Sequence, residues 1–205
     1  MITLTIKPQA KRKDRFSVFF GEEYLFSISR YTYRKLGEPD TLTVESADAF
    51  QRECVFPEQY NYCLDLLSRR GYSSKELTEK LQNRGVSPEM TEAILARLTE
   101  EKLISDEEFS QSFVRSRQLY HKQGFYKIRQ DLARKGISLS KEEYDEDRER
   151  EILKELVAKL VSQNIEPKKI IQRLMRKGFR YGDIVSHLKE LPQDEAYEEF
   201  EDYES

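Results

Sequence analysis

Three stretches decide how this chain folds: Glu76-Leu77-Thr78-Glu79-Lys80-Leu81-Gln82-Asn83-Arg84-Gly85-Val86, Lys127-Ile128-Arg129-Gln130-Asp131-Leu132-Ala133-Arg134-Lys135-Gly136-Ile137 and Lys169-Ile170-Ile171-Gln172-Arg173-Leu174-Met175-Arg176-Lys177-Gly178-Phe179. Each has an apolar residue, Leu four positions later, Gly four after that, and an apolar residue next. Apolar residues four apart lie on one face of a helix. A glycine just past the last turn supplies the left-handed cap that ends it. The pattern therefore predicts three amphipathic helices, each closed by a glycine whose apolar neighbour folds back onto the helix. The glycines are 51 and 42 residues apart. Unequal spacing suits helical repeats joined by variable connections.

Working outward, each segment is flanked by further apolar stripes at helical spacing. Tyr60, Cys63, Leu64 and Leu67 precede the first, and Ile94, Leu95 and Leu98 follow it. Phe109, Phe113 and Val114 precede the second. Ile152, Leu153, Leu156, Val157 and Leu160 precede the third, and Ile184, Val185 and Leu188 follow it. These are i, i+3, i+4 patterns, so each unit reads as about three helices. Ser73-x-x-Glu76, Ser105-x-x-Glu108 and Ser140-x-x-Glu143 have the form of capping boxes, in which Ser and Glu satisfy orphan N–H groups of a first turn. Pro88 and Pro167 suit a first helical position, whose N–H needs no partner. Gly71, like Gly85, Gly136 and Gly178, sits where a helical pattern stops. The helical signal begins near residue 58.

Residues 1–50 read differently. Ile2, Leu4 and Ile6 alternate with polar residues, as do Phe16, Val18 and Phe20. Gly21-Glu22-Glu23 supplies a turn before Tyr24–Ile28, the second arm of a hairpin. Residues 30–36 suit a short helix ended by Gly37, and Thr41–Val44 a returning strand. The expected architecture is mainly α: three tandem units of about three helices each, with a small β-rich N-terminal module. The expected boundaries are 1–50 for the module, 58–104, 105–146 and 147–191 for the repeats, and 192–205 for an acidic, disordered tail.

Composition excludes several classes. The chain has 205 residues and a formal net charge of -3. Eight acids lie in residues 190–205, which contain no Lys or Arg, so the remainder carries +5. No apolar run approaches the roughly 20 residues a membrane helix needs, and the alternating N-terminus is unlike a signal peptide. Cys54 and Cys63 fit no zinc spacing. Two thiols suit a reduced, cytoplasmic setting. His121 and His187 are isolated, and no phosphate-binding loop, nucleophile elbow or paired-His motif is present. The chain is read as a non-enzyme with no metal or cofactor.

The charge has a pattern. At about 100° per residue, Lys169, Arg173, Arg176 and Lys177 face away from Ile170, Ile171, Leu174 and Met175. Lys127, Arg134 and Lys135 occupy the positions equivalent to Lys169, Arg176 and Lys177, whereas the first segment has Glu76, Asn83 and Arg84 there. Lys168 to Arg180 contains six basic residues and no acid. Such a stripe attracts phosphate backbones or an acidic protein surface; the plainer alternative is a solvated face. Tyr120, Phe125, Tyr126, Phe179 and Tyr181 lie nearby as stacking groups or, more plainly, as core and cap contacts. Lys11–Lys13 with Arg15 reads equally as a nucleic-acid contact or a solvated turn. The acidic run from Glu142 to Glu151 reads as an exposed helix surface.

Leu66–Leu77, Leu103–Phe109, Gly124–Ile137 and Leu174–Phe179, taken in order, resemble the RecX family of bacterial recombination regulators. Ser105 stands where an acid is usual, Ser110 where Ala is usual, and Phe125 where Pro often follows the glycine. These departures bear on local helix geometry. The resemblance implies a mainly α fold of three tandem three-helix repeats in an elongated, curved solenoid-like body. It also implies binding in the groove of the RecA recombinase filament on DNA, with inhibition of ATP hydrolysis and strand exchange or promotion of filament disassembly. The implied partners are the RecA filament and single- or double-stranded DNA within it, with no membrane; the chain is expected to be a monomer. The charge pattern adds a candidate face: Lys127, Arg129, Arg134, Lys135, Lys169, Arg173, Arg176 and Lys177. Two rivals stay open: an independent DNA-binding protein of tandem helix-turn-helix-like units, and a protein-interaction scaffold.

Overall fold

In the computed structural model, residues 1–190 are described; the acidic tail expected at 192–205 lies outside them. The chain divides into two compact units, Met1–Ile104 and a second beginning at Ser105. The first opens with strands β1 (Ile2–Pro8), β2 (Arg15–Phe20) and β3 (Glu23–Ser29), helix α1 (Arg30–Lys35) and strand β4 (Thr41–Val44). It continues with helices α2 (Ala47–Leu67), α3 (Ser74–Gln82) and α4 (Pro88–Glu100). The second contains α5 (Asp106–Leu119), α6 (Phe125–Arg134), α7 (Glu146–Ser162), α8 (Pro167–Arg176) and α9 (Tyr181–Lys189). The chain is thus mostly helical, with a small N-terminal sheet.

The sheet is antiparallel, in the order β3-β2-β1-β4. Alternation puts Leu4, Ile6, Phe16, Val18, Phe26 and Ile28 on one face, where they bury against Phe50, Cys54 and Val55 of α2. Glu58 fastens the edge of this assembly. Its carboxylate accepts hydrogen bonds from Arg15 Nη1 at 3.2 Å, from the Ser29 N–H at 2.8 Å and from the Thr32 hydroxyl.

Helix α2 serves two cores, since its later residues Cys63 and Leu66 join Leu77, Leu81, Met90, Ile94 and Leu98. It starts at Ala47, capped by Ser46, well before residue 58 where helix was expected. Pro57 lies inside it; proline removes a helical N–H and makes the preceding text read as a break. Burial pushes the Cys54 and Cys63 thiols up to about 12 and about 11, so both are poor nucleophiles near neutral pH.

The recurring Leu-to-Gly punctuation has one backbone explanation. Gly85, Gly136 and Gly178 have φ of 78°, 81° and 92°. The next residue's N–H bonds the carbonyl of the preceding Leu: Val86 to Leu81 at 3.1 Å, Ile137 to Leu132 at 3.0 Å, Phe179 to Leu174 at 3.2 Å. This is the Schellman arrangement with its hydrophobic contact, and all three leucines are fully buried.

Other local readings divide. Ser73 and Glu76 form a reciprocal capping box, and Pro88 and Pro167 open their helices. Ser105 caps α5 through the Glu108 N–H. Two expectations are corrected. Gly71 is not among the left-handed glycines. Ser140 starts a turn rather than a helix, and α7 begins at Glu146 under an Asp145 cap. The segment from 105 to 145 therefore has two α-helices, not three. In place of a third, Ile137, Leu139 and Tyr144 bury irregular chain against Val114, Phe125, Ile128 and Leu132. A second core gathers α7, α8 and α9 around Leu153, Ile170, Leu174, Phe179 and Ile184.

Candidate nucleic-acid interface

Helix α8 buries Ile170, Ile171 and Leu174 and exposes the opposite side. Lys169 pairs with Glu166 at 3.1 Å, and Arg176 Nε donates to the Gln172 carbonyl at 3.2 Å. Arg173 and Lys168 are exposed, and Arg173 has no ion-pair partner among the described residues. Met175, expected on the inner face, is half exposed.

Helix α6 repeats this arrangement with one change of sign. Ile128 and Leu132 are buried. Asp131 stands where α8 has Arg173, and it holds both Lys127 and Arg134 at 3.2 Å. Lys135 Nζ lies 5.5 and 5.8 Å from the ring centres of Phe109 and Phe113. Arg129 departs from the stripe: two residues on from Lys127, it is turned by about 200° and lies over the Phe125 and Tyr126 rings. The α6 cations are thus partly neutralised or occupied with rings, and the freer charge is on α8.

The two basic helices meet directly. The Gly124 N–H donates to the Lys177 carbonyl at 2.9 Å, and the Tyr126 N–H to the Gly178 carbonyl at 3.2 Å. Lys177 Nζ reaches the His121 carbonyl at 3.1 Å. The Phe125 N–H between them donates to Glu149 Oε1 of α7 at 2.8 Å. The orphan donors at the start of α6 are therefore filled from outside the helix, and its positive end faces carbonyls and a carboxylate. A β-carbon on Gly178 would lie 2.4 Å from the Lys127 N and Cβ. One on Gly124 would lie 2.6 Å from the Gly178 carbonyl oxygen. This close approach requires glycine on both sides.

In the acidic run 142–151, exposed as expected at its other positions, Glu149 and Tyr144 are exceptions. Burial raises the Glu149 pKa, the Phe125 N–H opposes that, and Asp183 and Glu146 raise it further. A missing signal pointed there: the N-cap of α6 is Gly124, which has no side chain to cap it, and buried N–H groups must find acceptors. The nearby aromatics also separate. Phe125 and Phe179 are core residues, whereas Tyr120, Tyr126 and Tyr181 are exposed. Among the described residues no group of three or more His, Cys, Asp or Glu side chains is placed to hold a metal ion, and no helix is long and apolar enough to cross a membrane.

Known proteins are similar to this chain in sequence and fold. Residues 60–98 match the family model of the RecX first three-helix domain, and residues 105–140 that of the second. A regulatory protein RecX from Oceanobacillus iheyensis is 30% identical, over 91% of this chain and 75% of that protein. One from Bacillus subtilis (strain 168) is 28% identical, over 97% of this chain and 79% of that protein. The crystal structure of RecX from Lactobacillus salivarius is 26% identical, with a TM-score of 0.59, over 66% of this chain and 96% of that one. Identity sustained over three quarters of a relative, together with matches to two consecutive domain models, makes this chain a member of the RecX family.

Proposed function

We propose that this chain regulates homologous recombination and repair by binding RecA recombinase filaments on DNA and inhibiting their ATP hydrolysis and strand exchange. In this reading residues 58–104, 105–146 and 147–191 are three tandem repeats of a solenoid-like body, the middle one having lost a helix. The N-terminal residues 1–50 form an appended module. The protein acts as a cytoplasmic monomer without a cofactor. Binding that favours one filament state over another shifts the population of states, so the effect on ATP hydrolysis is indirect.

The observation that carries this reading is the exposed basic side of α8, a helix with no acid of its own, fixed to α6 by backbone hydrogen bonds through Lys177 and Gly178. A rigid ridge of this kind suits phosphates or an acidic groove. Lys169, Arg173 and Arg176 form its centre; Lys127, Arg134, Lys135 and Lys177 extend it, and Arg129 lies aside. The test is co-sedimentation with recombinase filaments against bare DNA at matched salt. Tight filament binding with weak binding to bare DNA supports the reading. Equal affinity for both favours an independent DNA-binding protein. Filament binding that survives Arg134→Glu with Arg176→Glu favours a scaffold that does not use the ridge.

A further inference from the structure

The face of the N-terminal sheet turned away from α2 has no part in the ridge. It carries Lys7 of β1 and Phe19 of β2, which alternate with the buried Ile6 and Val18. A bulge adds a third group. The β2–β3 register runs Val18 opposite Phe26 and then Phe19 opposite Tyr24, so Leu25 is the extra residue. A bulge re-aims the side chains beyond it. Without it Tyr24 would share the buried face of Phe26; with it Tyr24 lies beside Phe19, ring centres 5.9 Å apart and edge to face. Lys7 Nζ stands 5.7 Å from the Phe19 ring centre. Tyr24 is 54% exposed.

The β1–β2 loop on the same hairpin is strongly basic. Residues 9–14 contain three cations and one acid. Lys11, Arg12 and Lys13 are exposed. The loop is pinned: Arg30 Nη2 donates to the Lys13 carbonyl at 2.7 Å, and the Arg30 N–H to the Asp14 carbonyl at 2.8 Å. It lies about 13 Å along β2 from Phe19, at ~3.3 Å per residue. At the other end of the hairpin, Glu22 and Glu23 oppose phosphates.

We infer that this face is a stacking platform for single-stranded nucleic acid, with unpaired bases on Tyr24 and Phe19 and the phosphates led past Lys7 to the Lys11–Lys13 loop. An open sheet with aromatics beside a basic path is the chemistry that holds unpaired bases without sequence preference. Duplex DNA offers no free base face to Tyr24, so the platform discriminates single strands from duplexes. It is a contact separate from the α8 ridge.

The test uses the full chain and a fluorescently labelled oligothymidylate, with a duplex of equal length at the same salt. Tyr24→Ala should weaken single-strand binding about tenfold, within the range for loss of one base stack, and leave duplex binding unchanged. Tyr24→Phe should bind like the parent, and Lys11→Glu with Lys13→Glu should flatten the salt dependence. Far-ultraviolet circular dichroism checks that each variant is folded. Oligothymidylate binding that ignores Tyr24→Ala, or a Tyr24→Ala loss equal for single strand and duplex, overturns the platform. A loss confined to Arg173→Glu with Arg176→Glu also overturns it, while leaving the ridge intact.

Discussion

Glu149 on α7 caps a helix that is not its own: its carboxylate accepts the Phe125 N–H of α6 at 2.8 Å. On either side of that bond, Gly124 and Tyr126 donate to the carbonyls that end α8. Three helices thus converge on one helix start, and the basic side chains of α6 and α8 inherit their positions from it. Specific predictions rest on this junction and on the charges it holds.

Glu149 makes the junction pH-sensitive. Burial, with Asp183 and Glu146 beside it, raises its pKa in the folded chain. The folded state therefore holds the proton more tightly than the unfolded one. The stability this gives is complete below the ordinary glutamate value and is lost as pH rises through the raised one. Glu149→Gln keeps an acceptor for the Phe125 N–H and does not titrate. Its melting temperature should climb relative to the parent across that window; parallel profiles would contradict this. Glu149→Ala leaves the N–H without its partner and does not titrate, so it should cost about 1 kcal/mol below the ordinary glutamate value and less above the raised one.

Two glycines with nearly the same φ should respond unequally to alanine. Gly85 has open space where a β-carbon would go, so Gly85→Ala pays only the left-handed cost of about 1–2 kcal/mol. Gly178→Ala adds a collision with the Lys127 backbone and should lose about 1 kcal/mol more, as overpacking does. Urea unfolding followed by circular dichroism separates the two. Equal losses would mean that α8 is not pressed against α6.

Glu58 should be the critical acid of the N-terminal module. It and Arg15 are only 14% and 18% exposed, and the Ser29 N–H and Thr32 hydroxyl depend on the same carboxylate. Glu58→Ala should cost about 3 kcal/mol, the scale for breaking a largely buried pair. It should also speed hydrogen exchange at β2 and β3 amides. Unchanged exchange there would remove Glu58 from that role.

The charge on α6 should be adjustable through one residue. Asp131 holds both Lys127 and Arg134, so Asp131→Asn should tighten binding to DNA at low salt. Arg173→Glu with Arg176→Glu should weaken it and reduce the slope of log affinity against log salt by about 1.8 on duplex, if each cation meets one phosphate. Identical slopes for parent and double variant would place the phosphates elsewhere.

The sequence carried the local parts of this fold and not the relations between parts. The Leu81–Gly85–Val86 punctuation and its two echoes are legible because a Schellman cap is specified within six residues. The Ser73–Glu76 box is legible for the same reason. The start of α2 was masked by Pro57. The role of Glu149 was hidden in a charged run, because a carboxylate capping a distant helix leaves no mark at its own position. Arg129 belongs to the basic run in the text, but two residues on from Lys127 helical periodicity alone turns it about 200° from the stripe. Tyr24 reached the outer sheet face through a bulge that strict alternation does not foresee.

The most direct measurement is single-stranded-DNA-dependent ATP hydrolysis by the cognate RecA recombinase, titrated with this chain and with Arg173→Glu/Arg176→Glu. The ridge account predicts that hydrolysis falls as the parent chain is added and that the double variant, folded by circular dichroism, inhibits far less. Full inhibition by the double variant, or no inhibition by the parent at saturating filament binding, would contradict it.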